Sequence, residues 1–184
     1  GLDVPRTYDD VLALARRARE KGMSIVTPAC PIDAACLILT YAANIGSPLD
    51  PEGDSFIEPH VLEEVFDFVE QIVLESHPRS VEWNPIQAYD AMVGGDEIVY
   101  STCAFGYSNY SRLGRDRTLI AANFAGPGPD PARGALLGGA GYGVTHSCRD
   151  IEAAVTYGRW LHRQAFQSGA YFEAGGQPGL RCAW

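Results

Sequence analysis

Cys103, His146 and Cys148 have side chains of the types used in nucleophilic catalysis. Cys103 follows a predicted strand, and the segment His146-Ser-Cys148 lies farther along the chain. A thiol nucleophile needs a neighbouring base and a third group that orients this base. No orienting residue is marked here, and no recognised catalytic motif surrounds either cysteine. A Cys/His hydrolase is therefore the least favoured alternative, and we expect a protein that is not an enzyme.

Neither a metal site nor a phosphate loop is predicted. His146, Cys148 and Cys182 lack the paired ligand spacing of zinc sites. The glycine-rich stretch 136–144 has neither Gly-Lys-Ser/Thr nor the Gly-x-Gly-x-x-Gly spacing. We therefore expect no metal and no cofactor. The chain has five cysteines, so at least one cannot form a disulfide within the chain: Cys30, Cys36, Cys103, Cys148 and Cys182. Their spacing does not decide between an oxidising and a reducing compartment.

Two further features could contact a ligand. The stretch 136–144 contains four glycines within six positions, of which Gly138 and Gly139 are the first two, and strand-forming residues flank them. The backbone there either approaches a ligand closely or kinks against a helix, and the same glycines suit both. Asp33 precedes an apolar segment, where it either caps a helix or accepts hydrogen bonds from a polyhydroxy ligand.

The composition indicates a globular protein that does not bind nucleic acid. The 184 residues are 46% hydrophobic and 20% charged, which suits one well-packed core. The net charge of -9 argues against a basic, phosphate-neutralising surface. The sequence has neither an apolar run of about 18 residues nor a signal-peptide pattern at its start, although a mature or excised chain would look the same.

The hydrophobic periodicity alternates between helices and short strands. Helices are predicted from a Thr7–Asp10 capping box to Gly22, over an apolar segment 34–45, from Pro59 to about residue 76, over 85–94, and from Asp150 to about residue 167. Strands are predicted over 23–27, 96–102, 118–124 and 136–144, and a proline-glycine loop over 126–134. The last helix should bury Ile151, Ala154, Val155, Gly158, Leu161 and Ala165. This alternation predicts an α/β fold in which helices cover a mixed sheet.

Four motifs in a fixed order carry a family resemblance. Residues 5–15 read Pro-Arg-Thr-Tyr-Asp-Asp-Val-Leu-Ala-Leu-Ala, and Gly95-Asp-Glu-Ile-Val-Tyr precedes Gly106-Tyr-Ser-Asn-Tyr110. Residues 137–144, Leu-Gly-Gly-Ala-Gly-Tyr-Gly-Val, and the loop Gly176-Gln-Pro-Gly-Leu-Arg181 follow. This order resembles the extracellular solute-binding proteins of ABC importers, in the sugar-binding group that includes maltodextrin-binding proteins.

The resemblance implies one lobe of a two-lobed, type II periplasmic-binding-protein-like fold. Residues 1–135 would form the second-lobe α/β domain. Residues 136–184 would form the hinge-crossing strand, helix and Gly-Gln-Pro-Gly loop that belong to the first lobe. The chain would then be a partial one that captures a sugar for an ABC permease. The family is extracytoplasmic, in the periplasm or as a lipoprotein at the cell surface.

The same resemblance suggests which residues contact the sugar. Aromatic rings stack on sugar C–H faces, and planar polar groups satisfy hydroxyls in pairs. Tyr107 and Tyr110 stand where the family places cleft aromatics, with Asn109 between them; packing or a turn would use the same residues. Gly138 and Gly139 would line the cleft with backbone. Gln177 and Arg181 match the loop after the last helix, where a role as surface residues is slightly favoured over ligand contact.

A third possibility is a protein-docking module that binds no small molecule. A lone lobe would leave its terminal strand and helix without their usual neighbours, and so would expose apolar surface. We therefore expect self-association, such as a homodimer that forms through the exposed terminal segment.

Overall fold

The computed structural model describes residues 3–112, 114, 116–128, 130 and 134–183. The chain divides into two compact units, which are described separately. The first unit comprises Gly1–Gly106 and Leu113–Leu137, and the second comprises Tyr107–Arg112 and Gly138–Trp184. The sequence-based boundary between residues 135 and 136 lies two residues before the division at 137/138. The fold is mixed α/β and about 49% helical, with a small parallel sheet of two strands.

Helix α1 spans Tyr8–Arg19 and begins at the predicted capping box. The backbone N–H of Asp10 donates to Thr7 Oγ1 at 3.1 Å, and the backbone N–H of Thr7 donates to Asp10 Oδ2 at 2.9 Å. These hydrogen bonds satisfy backbone donors that the first turn leaves without partners. Gly22 adopts φ +70, a left-handed conformation that glycine allows without strain, and strand β1 (Ser24–Val26) follows.

Three helices separate the two strands of the sheet. They are α2 (Pro31–Asn44), α3 (Pro59–Glu75) and α4 (Pro85–Gly94), and they confirm the three helices predicted here. Strand β2 (Ile98–Ser101) then pairs in parallel with β1, with Ile25 opposite Tyr100. Because the strands are parallel, their carboxyl ends meet at one edge of the sheet, where ligands of open α/β sheets usually bind.

The core of the first unit is apolar and rich in aromatic rings. The Tyr8 ring stacks on Phe68 with centroids 4.2 Å apart, and Tyr41 meets Phe68 edge-on at 5.0 Å. Buried Val61, Val65, Val69 and Ile72 form the inner stripe of α3, as the periodicity predicts. The core therefore joins α1, α2 and α3.

Two predicted strands are wrong, and so is the mixed sheet. Residues 118–124 and 136–144 are irregular, and the strands of the described residues form one parallel pair. Ile120 is 93% exposed and Leu137 is 94% exposed, so neither side chain gains the burial that holds a strand in place. Of the predicted loop 126–134, positions 129 and 131–133 lie outside the described residues.

The second unit consists mainly of helices. It contains a 3-10 turn (Ser108–Ser111), α5 (Ile151–Leu161), the short α6 (Gln164–Phe166), a π turn (Gln167–Tyr171) and a 3-10 turn (Arg181–Ala183). The last predicted helix ends earlier than expected, because Arg163 is extended at ψ 138 and starts a new turn. Its predicted buried face is also wrong: of that set only Gly158 is buried, while Ile151, Val155 and Ala165 are exposed.

Candidate functional site

A small cavity lies at the carboxyl edge of the parallel strands in the first unit. Its volume is about 70 Å³. It is lined by Pro28, Asp33, Cys36, Leu37, Thr40, Pro85, Cys103, Ala104, Phe105, Ala135 and Leu136. Pro28 follows β1 and Cys103 follows β2, so the ends of both strands contribute to the wall. This is the position at which a two-stranded parallel unit can hold a ligand between strand ends and a helix.

Helix α2 supplies the polar wall of this cavity. Asp33, Leu37 and Thr40 are spaced i, i+4 and i+7, so they lie on one face of the helix together with Cys36. Pro31 begins the helix, and its fixed φ suits this position. Because α2 is apolar on most of its surface, its packing against α3 fixes this polar face towards the strand ends.

Asp33 does not cap α2, contrary to one of the two expectations for it. The N-cap residue is Cys30, and Asp33 is the third residue of the helix, only 9% exposed. Its Oδ2 accepts a hydrogen bond from Cys30 Sγ at 3.0 Å, and this bond is the main cause that raises the pKa of Cys30. The carboxylate therefore stands in the cavity wall with acceptor capacity beyond this single thiol.

Thr40 connects the helix to the start of the glycine-rich stretch. Thr40 Oγ1 accepts a hydrogen bond from the backbone N–H of Leu136 at 3.2 Å. Nearby, Asn44 Nδ2 donates to the Gly134 carbonyl at 3.2 Å. These two bonds hold residues 134–136 against α2 and so close one side of the cavity.

The thiols of the cavity are poor nucleophiles. Burial, followed by the nearby Cys36, raises the pKa of Cys103 to about 12. Burial, followed by the charge of Asp33, also raises the pKa of Cys36. A catalytic cysteine needs the opposite shift, because the thiolate is the reactive form. His146 lies in the second unit and is exposed, and all five cysteines are free thiols.

Buried hydroxyl groups support the strand ends beneath the cavity. Thr102 Oγ1 donates to Thr27 Oγ1 at 3.0 Å, and Thr27 Oγ1 lies 2.8 Å from Ser76 Oγ. Ser76 Oγ donates its own proton to the Ile72 carbonyl at 2.7 Å, so Thr27 must be the donor to Ser76. These hydrogen bonds run from Thr102 through Thr27 and Ser76 to the Ile72 carbonyl, and we call this series the hydroxyl relay. It fixes Thr102, and therefore the start of the Cys103–Phe105 wall.

The predicted ligand residues are divided between the two units. Asp33 lies in the cavity wall. Gly138 and Gly139 belong to the second unit and are exposed, and a side chain built at Gly139 would meet nothing within 4 Å. The close approach that would explain a glycine is therefore not seen at Gly139. Leu136, at the start of the same stretch, does line the cavity.

Tyr107, Asn109 and Tyr110 form the 3-10 turn region of the second unit, and Tyr110 is buried there. Gln177 and Arg181 lie in the same unit, and both are exposed. None of these five residues lines the cavity of the first unit.

Arg112 joins this turn to the Gly-Gln-Pro-Gly loop, a role that the sequence did not reveal. Its guanidinium donates to the Phe172 carbonyl and, at 2.7 Å, to the Gly176 carbonyl. It also lies over the Phe172 ring, 4.1 Å from the centroid. Two predicted ligand segments, the tyrosine turn and the loop that carries Gln177, are thereby held together within one unit.

Other residues of the cavity were also missed. Thr40 could have been found, because it stands seven residues after Asp33 and so shares its helix face. Phe105 and Pro85 carry no local signal, since only the folded chain brings them to the strand ends.

The described residues contain no cluster of three or more His, Cys, Asp or Glu side chains that could hold a metal ion. Within the same residues, none of the helices combines the length and apolar character needed to cross a membrane. No protein-family model matches the chain, and neither the curated proteins nor the solved structures give a significant match to it.

Proposed function

We propose that the chain binds carbohydrate, as part of the solute-binding component of an ABC importer. The observation that carries this proposal is the cavity at the carboxyl ends of the parallel strands, with Asp33 and Thr40 on one face of α2. The order of the sequence motifs supports the same family. In the complete transport system the bound sugar would be delivered to a membrane permease, outside the cytoplasm, with no cofactor.

The chemistry of the wall suits part of a sugar. A carboxylate can accept hydrogen bonds from two neighbouring hydroxyls, and the Thr40 hydroxyl, which already binds the Leu136 backbone N–H and the Cys103 side chain, can accept one more. Phe105 adds an aromatic ring of the kind that covers the C–H face of a pyranose. The cavity of about 70 Å³ is far smaller than the roughly 300–1,000 Å³ of a typical ligand pocket. It therefore suits one hydroxymethyl group or one ring edge, and the affinity of this site alone should be millimolar.

Saturation-transfer NMR with a panel of neutral mono- and oligosaccharides tests this binding. The wild-type chain should transfer saturation to at least one sugar, and Asp33→Ala should remove most of the signal. Asp67→Ala is the matched control, because it removes an exposed carboxylate from α3 and should leave the signal unchanged. Thr40→Ala provides a second variant in case Asp33→Ala alters folding. Equal signals from wild type and both cavity variants would contradict the proposal.

The hydrolase alternative is disfavoured by the protonated state of Cys103 at neutral pH. Timed alkylation followed by mass spectrometry tests it. We expect the exposed Cys182 to react well before Cys103. A Cys103 that reacts first at neutral pH would favour the enzyme.

A further inference from the structure

One face of α5 in the second unit combines exposed aromatic rings with charges of opposite sign at its two ends. We call it the α5 face and define it as Glu152, Ala153, Thr156, Tyr157, Trp160 and Arg163. Together with Asp150 these residues line an open concavity of about 840 Å³. Tyr157 is 52% exposed and Trp160 is 42% exposed. Large rings exposed side by side are typical of protein contact surfaces.

The rings of this face are fixed before any partner arrives. Tyr157 stacks on Trp160 with centroids 5.6 Å apart, and Trp160 lies 4.1 Å from Phe166. Tyr142 packs so closely over Gly158 that a Cβ there would lie 2.7 Å from the ring, and the Tyr142 hydroxyl donates to the Ala154 carbonyl at 2.9 Å. Because packing already restricts these side chains, binding through them costs little additional conformational entropy.

The charges of the α5 face are available for an external partner. Glu152 lies in the first turn, and Arg163 follows the end of the helix eleven residues later, about 16 Å away at helical rise. Among the described residues neither side chain forms an ion pair. Asp150 is already engaged, because its Oδ1 accepts from the Ala153 backbone N–H at 2.9 Å.

We propose that the α5 face binds the same face of a second copy of this chain, with the two helices antiparallel. A twofold axis near Tyr157 and Trp160 would place Glu152 of each copy opposite Arg163 of the other. The aromatic rings would then meet at the centre and the two ion pairs would lie at the rim. A parallel arrangement would place like charges together, so the charge pattern selects the antiparallel pair.

The resulting dimer is small and sensitive to salt. One helix face buries less than a standard interface of about 800 Å² per partner, so the dissociation constant should be on the order of tens of micromolar. Added salt should weaken the dimer, because the rim charges stay near solvent. The proposal is independent of sugar binding, which was assigned to the first unit.

Charge reversal with complementation tests the pairing directly. Sedimentation equilibrium should show a monomer–dimer equilibrium for wild type. Glu152→Arg alone and Arg163→Glu alone should each weaken dimerisation at least tenfold. An equimolar mixture of these two variants should form a heterodimer, because one chain then presents only basic and the other only acidic ends. Arg16→Glu is the matched control: it makes the same charge change at an exposed position of α1 in the first unit, away from the α5 face, and it should dimerise like wild type.

Three results would overturn the proposal. The first is a wild-type chain that stays monomeric at millimolar concentration, which would leave the face free for a different partner. The second is a dimer that both charge variants retain, which would place the interface elsewhere, such as at an exchanged terminal segment. The third is a mixture that does not restore dimerisation although both variants keep the wild-type circular dichroism spectrum.

Discussion

Replacing Thr27 with valine tests the role of the hydroxyl relay. Thr27 is 0% exposed, and valine has nearly the same shape, so the substitution removes hydrogen bonds without opening a cavity. Thr102 loses its hydrogen bond to Thr27 but keeps Tyr41 as a partner, and Ser76 loses the bond that Thr27 donates while it keeps its own bond to the Ile72 carbonyl. Each of the two buried hydrogen bonds lost contributes about 0.5–1.5 kcal/mol. We therefore expect Thr27→Val to lower the free energy of unfolding by about 2 kcal/mol.

Thr27→Ser is the matched control for this prediction. It keeps the hydroxyl but removes one methyl group, and burial of one such group contributes about 0.8 kcal/mol. Urea unfolding should be followed through the amide NMR signals of Ile25 and Ile72, which report on the first unit alone. The reasoning predicts a larger loss for valine than for serine. A valine variant as stable as wild type, or a serine variant less stable than the valine variant, would refute it.

Three further predictions concern the thiol, the arginine link and the affinity for sugar. Burial raises the pKa of Cys103 from 9.0 to about 12, so the unfolded chain loses the thiol proton at a lower pH than the folded chain. The free energy of unfolding in urea should therefore fall from pH 9 to pH 12, and it should fall less steeply in Cys103→Ala. Parallel pH profiles for the two proteins would contradict the assignment. Arg112→Met should speed hydrogen exchange at Gly176 and its neighbours while exchange in β1 stays unchanged; an unchanged Gly176 would show that Arg112 does not hold this loop. Calorimetric titration with oligosaccharides should give weak heats or none, and a micromolar isotherm would refute the view that the chain supplies only part of the contacts.

The sequence predicts those elements that depend on local interactions. The Thr7–Asp10 capping box, the left-handed Gly22 and the apolar stripe of α3 each leave a pattern within one or two turns, and all are found in the structure. The helix α4 is equally local, since the Asn84 side chain and Pro85 define its start.

Elements that depend on distant partners could not be predicted in this way. Residues 118–124 and 136–144 have strand-like composition, but a strand forms only where a neighbour completes its hydrogen bonds. The face of α5 was misjudged for the same reason, because periodicity identifies an apolar stripe without showing what covers it. In the cavity, Asp33 carried a local signal, whereas Phe105 and Leu136 reach the strand ends only through the tertiary fold.

Chemical-shift mapping tests the central claim most directly, because it locates sugar binding on the chain. A ¹⁵N-labelled wild-type chain would be titrated with the sugar that gives the strongest saturation transfer. The account predicts that the shifted amides cluster at Asp33–Thr40, at Cys103–Phe105 and at Leu136, and that the shifts are lost in Asp33→Ala. Shifts confined to α5, or no shifts at millimolar sugar, would contradict the assignment of the binding site to the carboxyl ends of the parallel strands.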